Sequence, residues 1–328
     1  MKSEEYDMKR TEMNRRAFVK NVAVTAGFFG FSGLTAFAPR RSFASNVSAI
    51  NLVAEASSKT MVDGTGLLVW QFRDLDGFGP GQLGAGIIIR AGDLIDITLN
   101  NGLDRDIDLR IPGVLSDGPS VAPRSSYTYS FTAPPAGTYL FHDGINGDLG
   151  RAMGLAGPMI VTPAEGENNL YTDGPAFDRQ FTLVLHELDD RVNRAVASGV
   201  DFDMEDYEPN YFFVNGLSYP NTTTDDETLI AMSVGERVAL RFVNAGLITN
   251  PMHFHGYHVE VATRNRQVET AVIDKDTVLV DVNECVDVIL PCNQPGAYPL
   301  HTHYVPGVTA NGVYVNPYGG ALLVMSAD

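Results

Sequence analysis

The stretch "RAGDLIDITLNNG" at residues 90–102 returns in altered letters as "SVGERVALRFVNAG" at 233–246. Each copy opens on a turn glycine followed by an acid, runs through β-branched and apolar residues, and closes on Asn and Gly. A period of two over four to eight residues between such turn signals is the mark of a β-strand. The repetition continues outward. "APPAGTYLFHD" (133–143) matches "NQPGAYPLHTH" (293–303), with proline, glycine, an aromatic residue and then histidine in the same order. "GLAGPMIV" (154–161) matches "GGALLVM" (319–325). Two internal copies of one strand-rich unit are therefore expected, each a Greek-key β-sandwich, and the fold class is all-β.

The expected boundaries follow from the punctuation. The first domain covers 47–161, the polar stretch "TPAEGENNLYTDGPAFD" (162–178) is a linker, and the second domain covers 179–328. One helix is expected, over "ELDDRVNRAVASG" (187–199), which ends on a glycine stop.

Residues 1–44 read as a targeting segment. "NRRAFVK" (14–20) sets Arg15 and Arg16 before an uncharged run, and "SFA" (42–44) supplies small residues at a cleavage site. This is the twin-arginine export pattern, so a periplasmic or otherwise exported protein is expected. The alternative is a membrane anchor, but the run is shorter than the ~20 residues a spanning helix needs. No stable membrane anchor is expected. The formal net charge is −17, and residues 1–44 hold eight Lys/Arg against four Asp/Glu, so the chain without them carries −21. A surface of that sign repels nucleic acid. Cys285 and Cys292 are seven residues apart, or roughly 23 Å on a straight strand. They are expected to be free, buried thiols.

Five of the seven histidines fall in the two tight clusters "NPMHFHGYHVE" (250–260) and "HTH" (301–303). On a strand, residues i and i+2 share a face. His253 with His255, and His301 with His303, can each present two imidazoles to one side. Imidazole is a general ligand for copper, zinc and iron. His258 lies an odd number of residues from His255 and is expected to face away, in a supporting or core role. His186 has no partner pair and reads as a structural histidine.

With "NPMHFHGYH", "PGAYPLHTH", "YFFVNGLSYPNT" (211–222), "LVLHELDDR" (183–191) and "GLAGPMIV" in view, the chain resembles the two-domain multicopper oxidases, the laccase-like proteins built from two cupredoxin folds. The resemblance implies four His-x-His pairs around a three-copper cluster that reduces dioxygen. It also implies a separate blue copper held by a cysteine, two further histidines and often a methionine. This sequence departs from both sets. Thr302 stands in place of the blue-copper cysteine, Asn250 and Gly307 in place of its histidines, and Gly312 in place of the weak ligand. In the first domain Arg110 and Pro112 replace one cluster pair, while His142 survives beside Gly144, which replaces its partner.

The expected metal ligands are thus His253, His255, His301 and His303, joined by His142 across a domain or subunit interface. Copper is the expected cofactor, since divalent copper tops the usual affinity order; zinc stays open. Asp143 reads as a turn residue, with metal contact as the alternative. Two-domain members of the family form homotrimers, which implies a homotrimer here. The expected function is an exported copper-dependent oxidoreductase without a blue (type 1) copper, acting on a small-molecule reductant and dioxygen. The alternatives are a non-catalytic copper-binding protein for storage, delivery or sensing, and a metal-free scaffold.

Overall fold

The computed structural model describes residues 47–75, 86–166, 168–271 and 274–328. The twin-arginine segment lies outside the described residues. Among those described, no helix is long and apolar enough to cross a membrane.

The architecture is all-β. In the N-terminal half, a four-stranded sheet runs in the order Gly66–Asp74, Val47–Thr60, Leu94–Asn101, Ser126–Thr132. A three-stranded sheet runs Ile87–Arg90, Ala156–Thr162, Gly137–His142. The turn in "RAGDLID" therefore does more than reverse the chain, because it passes it from one sheet to the other. Between them lies a core that includes Leu52, Phe72, Ile89, Ile97, Phe141 and Met159. Such an arrangement of two sheets closing over one apolar layer is a β-sandwich.

The C-terminal half repeats this. A five-stranded sheet runs Ile230–Met232, Leu322–Ala327, Gly296–Thr302, Asn250–Phe254, Thr277–Val280. Opposite it lies a larger sheet centred on Cys285–Pro291, Arg237–Asn244 and Arg179–Leu188. Leu240, Phe242, Met252, Phe254, Val288 and Leu300 belong to the core between them.

The two halves are tied by buried polar contacts. Thr138 of the first sandwich donates to Asp287 Oδ1 at 2.6 Å and accepts from Arg241 Nη1 at 3.1 Å. Arg241 and Asp287 are both 1% exposed, with 3.7 Å between Nη1 and Oδ1. Removing two charges from water is tolerable only with such pairing.

Three local expectations are modified. The expected helix is shorter, Asp190–Ala197, because Leu188 still pairs with Tyr211 in a strand and Asp189 caps the helix through Arg191 N–H. A second helix, Gly147–Met153, carries too short and glycine-rich a sequence to show a helical period. The segment read as a linker is packed down: Leu170 is fully buried against Ala239, Ala262 and Ile289, and its carbonyl accepts from Arg241. Cys285 and Cys292 are free and buried, as expected.

Candidate metal centre

The four C-terminal histidines are gathered by strand register. His253 stands directly opposite His301 in the antiparallel ladder. His255 N–H donates to Pro299 O, and His303 N–H donates to Pro251 O. The ladder thus extends one step each way, and the period of two puts all four imidazoles on one face. The opposite face sends Met252, Phe254, Leu300 and Thr302 into the core, each at most 1% exposed. The histidines consequently occupy the outer face of the five-stranded sheet. His253, His255 and His301 are half-buried and His303 is exposed.

Ring centroids lie 4.6 Å apart for His253–His255 and for His253–His303, 5.2 Å for His255–His301 and 5.3 Å for the stacked pair His301–His303. The closest donor atoms are His255 Nε2 and His301 Nε2, 3.0 Å apart. Two tautomers are fixed by carbonyls, which only accept. His253 Nδ1–H donates to Asp276 O at 3.0 Å, and His301 Nδ1–H donates to Thr302 O at 3.0 Å. Each ring is left with its Nε2 lone pair, the arrangement that orients metal-binding imidazoles. Burial is the largest influence on His301 and pulls its pKa down to about 4, so the ring is neutral at physiological pH.

The donor chemistry fits copper. Two nitrogens 3.0 Å apart can both reach one ion at the ~2.0–2.1 Å typical of imidazole–zinc bonds. Among the described residues, however, no group of three His, Cys, Asp or Glu side chains is arranged to hold a single ion. As placed, His255 and His301 bring two nitrogens within reach of one ion, with the rings of His253 and His303 packed beside them.

The surroundings of Thr302 are closed. Its methyl lies 2.5 Å from where a Cβ on Gly307 would stand, and its hydroxyl accepts from Tyr304 N–H at 3.2 Å. Asn250 is buried and donates to Ile248 O at 2.9 Å. No thiolate or imidazole faces this part of the core from positions 250, 302 or 307.

In the N-terminal half, Arg110 and His142 exchange both backbone hydrogen bonds and so stand side by side on one face. Among the described residues His142 makes no ring contact with the other four histidines; its Nδ1 bonds to Asp143 O at 2.9 Å. Arg110 turns to Asp108, with 2.8 Å between Nε and Oδ2. Asp108 also accepts from Gly144 N–H at 2.6 Å, a role the sequence reading missed. The alternation in "DIDLR" could have signalled it, since it sets Asp108 and Arg110 on one face. Asp143 is fully buried and accepts from the amides of Asp108, Ile145 and Asn146. It is a loop anchor, as the turn reading implied.

His186 is buried and its Nε2–H donates to Arg151 O at 2.8 Å, while its Nδ1 is buried without a partner among the described residues, so the ring is only half satisfied. His258 faces away from the cluster, but it is exposed and sits 3.3 Å from Asp274. It is therefore a surface residue with no place in the core.

Two family models described as multicopper oxidase match the chain, one over residues 77–166 and one over 193–316. A putative laccase-1 from Oryza sativa subsp. japonica is 25% identical over 229 residues, covering 64% of this chain and 38% of that protein. An L-ascorbate oxidase from Cucumis sativus is 29% identical over 119 residues, covering 32% of this chain and 19% of that protein. The chain thus spans well under half the length of these curated relatives. Among solved structures, a blue copper oxidase from Nitrosomonas europaea superposes with a TM-score of 0.72 at 22% identity, with 86% of each chain covered. A copper nitrite reductase from the same organism gives 0.67 at 20% identity, covering 86% of this chain and 94% of that one. At these identities the superpositions speak for the fold.

Proposed function

The chain belongs to the multicopper oxidase family, whose members bind copper, and from that premise we propose that it is an exported copper-dependent oxidoreductase with a reduced, all-histidine copper site and no type 1 copper. The observation that carries this reading is the pair His255 Nε2 and His301 Nε2, 3.0 Å apart, with His253 and His303 packed beside them and a threonine between the last two ligands.

His253, His255, His301 and His303 would hold the metal, and copper supplies one-electron redox chemistry there. The carbonyls of Asp276 and Thr302 keep the rings of His253 and His301 in the ligating tautomer. With no thiolate at 302 there is no inner relay from a distant substrate site, so a small reductant and dioxygen meet the histidine face directly. That face lies on the outside of its sandwich, which favours this access. It also favours completion of the site by His142 from a neighbouring subunit of a homotrimer. Export by the twin-arginine route belongs to the same proposal and rests on residues 14–44.

The non-catalytic alternative is copper binding by the same histidines for storage, delivery or sensing. Oxygen uptake by the copper-loaded protein with a panel of small reductants separates the two. Copper-dependent uptake that His301→Ala abolishes supports the oxidoreductase, and bound copper with no uptake supports the binding protein.

A further inference from the structure

A cleft of about 260 Å³ opens at the junction of the two sandwiches. Leu140 and Cys285 line it, and both belong to a buried apolar cluster with Val184 and Val243. Pro112 and Gly113 contribute from the first half, and Asn265, Arg266 and Asn283 from the second. No carboxylate is among the described lining residues.

Arg266 is the unusual member. Its guanidinium lies 4.4 Å from the centre of the Tyr139 ring, and its Nη2 is 3.2 Å from where a Cβ on Gly113 would stand. Its alkyl stem lies 3.2 Å from the same point on Gly137. The side chain is therefore held in place from three sides. Yet among the described residues it pairs with no acid. Arg264, two positions earlier, pairs with both Glu269 and Glu284. In a chain with 40 Asp and Glu against 23 Lys and Arg, an arginine kept free of acids in a cleft is not a by-product of charge density. Asn265 commits its side-chain oxygen to Cys285 N–H at 3.0 Å, which leaves its amide N–H group for the rim. Burial, with lesser contributions from Asp287 and Glu284, raises the pKa of the Cys285 thiol, so the thiol on the floor stays neutral.

An apolar floor beneath a rim that carries the Arg266 guanidinium is complementary to an amphipathic anion. We propose that this cleft binds a small organic carboxylate, its carboxylate on the Arg266 guanidinium and its apolar body over Leu140 and Pro112. A planar fork suits a two-oxygen anion better than a point charge does. The site is separate from the copper-binding reading and stands without it.

Isothermal titration calorimetry with benzoate and its neutral counterpart benzamide, on the full chain as purified, tests the proposal. Benzoate should bind at least about tenfold more tightly than benzamide, a charge-assisted contribution. Arg266→Gln should abolish that preference, and Arg266→Lys should keep part of it. Absence of benzoate binding, equal binding of the two probes, or undiminished benzoate binding in a correctly folded Arg266→Gln protein would overturn it. Should the variant not fold, the benzoate-to-benzamide ratio on the unaltered chain and its decline with added salt still decide the question.

Discussion

The side chain of Arg110 lies across Gly144, in the space any side chain at 144 would have to enter. A side chain at 144 would therefore have to push the Arg110 side chain aside. Asp108 holds the present arrangement by accepting from both Arg110 Nε and Gly144 N–H. Gly144→His alone is expected to displace Arg110 and add no copper. The double variant Arg110→His with Gly144→His should raise the copper-to-protein ratio measurably above wild type. Metal analysis of the two proteins side by side checks this.

Thr302→Cys alone should not create a blue centre. The methyl of Thr302 fills the approach to Gly307, and Asn250 is committed to Ile248 O. A thiolate there would have no imidazole beside it. The expected optical spectrum lacks an intense sulfur-to-copper band, which should appear only when histidines are also introduced at 250 and 307.

The buried pair at the junction of the sandwiches should matter to stability. Asp287→Ala leaves Arg241, 1% exposed, without its counter-charge and should destabilise by about 3–5 kcal/mol. Thr138→Val removes one donor and one acceptor and should cost about 1–3 kcal/mol. Urea unfolding curves for the three proteins give the comparison.

Metal-free stability should depend on pH through two buried neighbours of opposite sign. Burial lowers the His186 pKa to about 4, so the unfolded chain binds more protons there between pH 4 and 6.5, and this residue adds stability as pH rises through that window. Burial raises the Glu187 pKa to about 7, so the folded chain binds more protons between pH 4.5 and 7, and this residue removes stability as pH rises. The two oppose each other in wild type, while His301, whose pKa burial also lowers to about 4, adds to the rise. Glu187→Gln should remove the opposing contribution, giving a melting temperature that climbs more steeply from pH 4.5 to 6.5 than in wild type. Thermal melts at fixed ionic strength measure it.

The duplicated sandwich was legible because alternation and turn glycines repeat in order, and strand registers follow from them. The four histidines were legible for the same reason, since a period of two decides which rings share a face. What stayed hidden depends on contacts between distant segments. The hold of Asp108 on the 143–145 loop, the Arg241–Asp287–Thr138 junction and the Arg266 cleft each join residues from different strands or loops, and no local pattern reports them. The helix Gly147–Met153 was missed because seven residues with two glycines show no apolar stripe. His258 was misplaced toward the interior because it was read as a strand residue, whereas it lies in the bend between Asn250–Phe254 and Val259–Arg264, where strand alternation does not hold.

The central claim is an all-nitrogen copper site on the outer face of the five-stranded sheet. The most direct measurement is the copper-to-protein ratio of the purified protein, taken together with its electron paramagnetic resonance and optical spectra, for wild type and His301→Ala. The account predicts bound copper with nitrogen hyperfine structure, no intense thiolate band, and loss of most of the metal in the variant. An intense blue spectrum, or a protein that takes up no copper when it is supplied in excess, would contradict it.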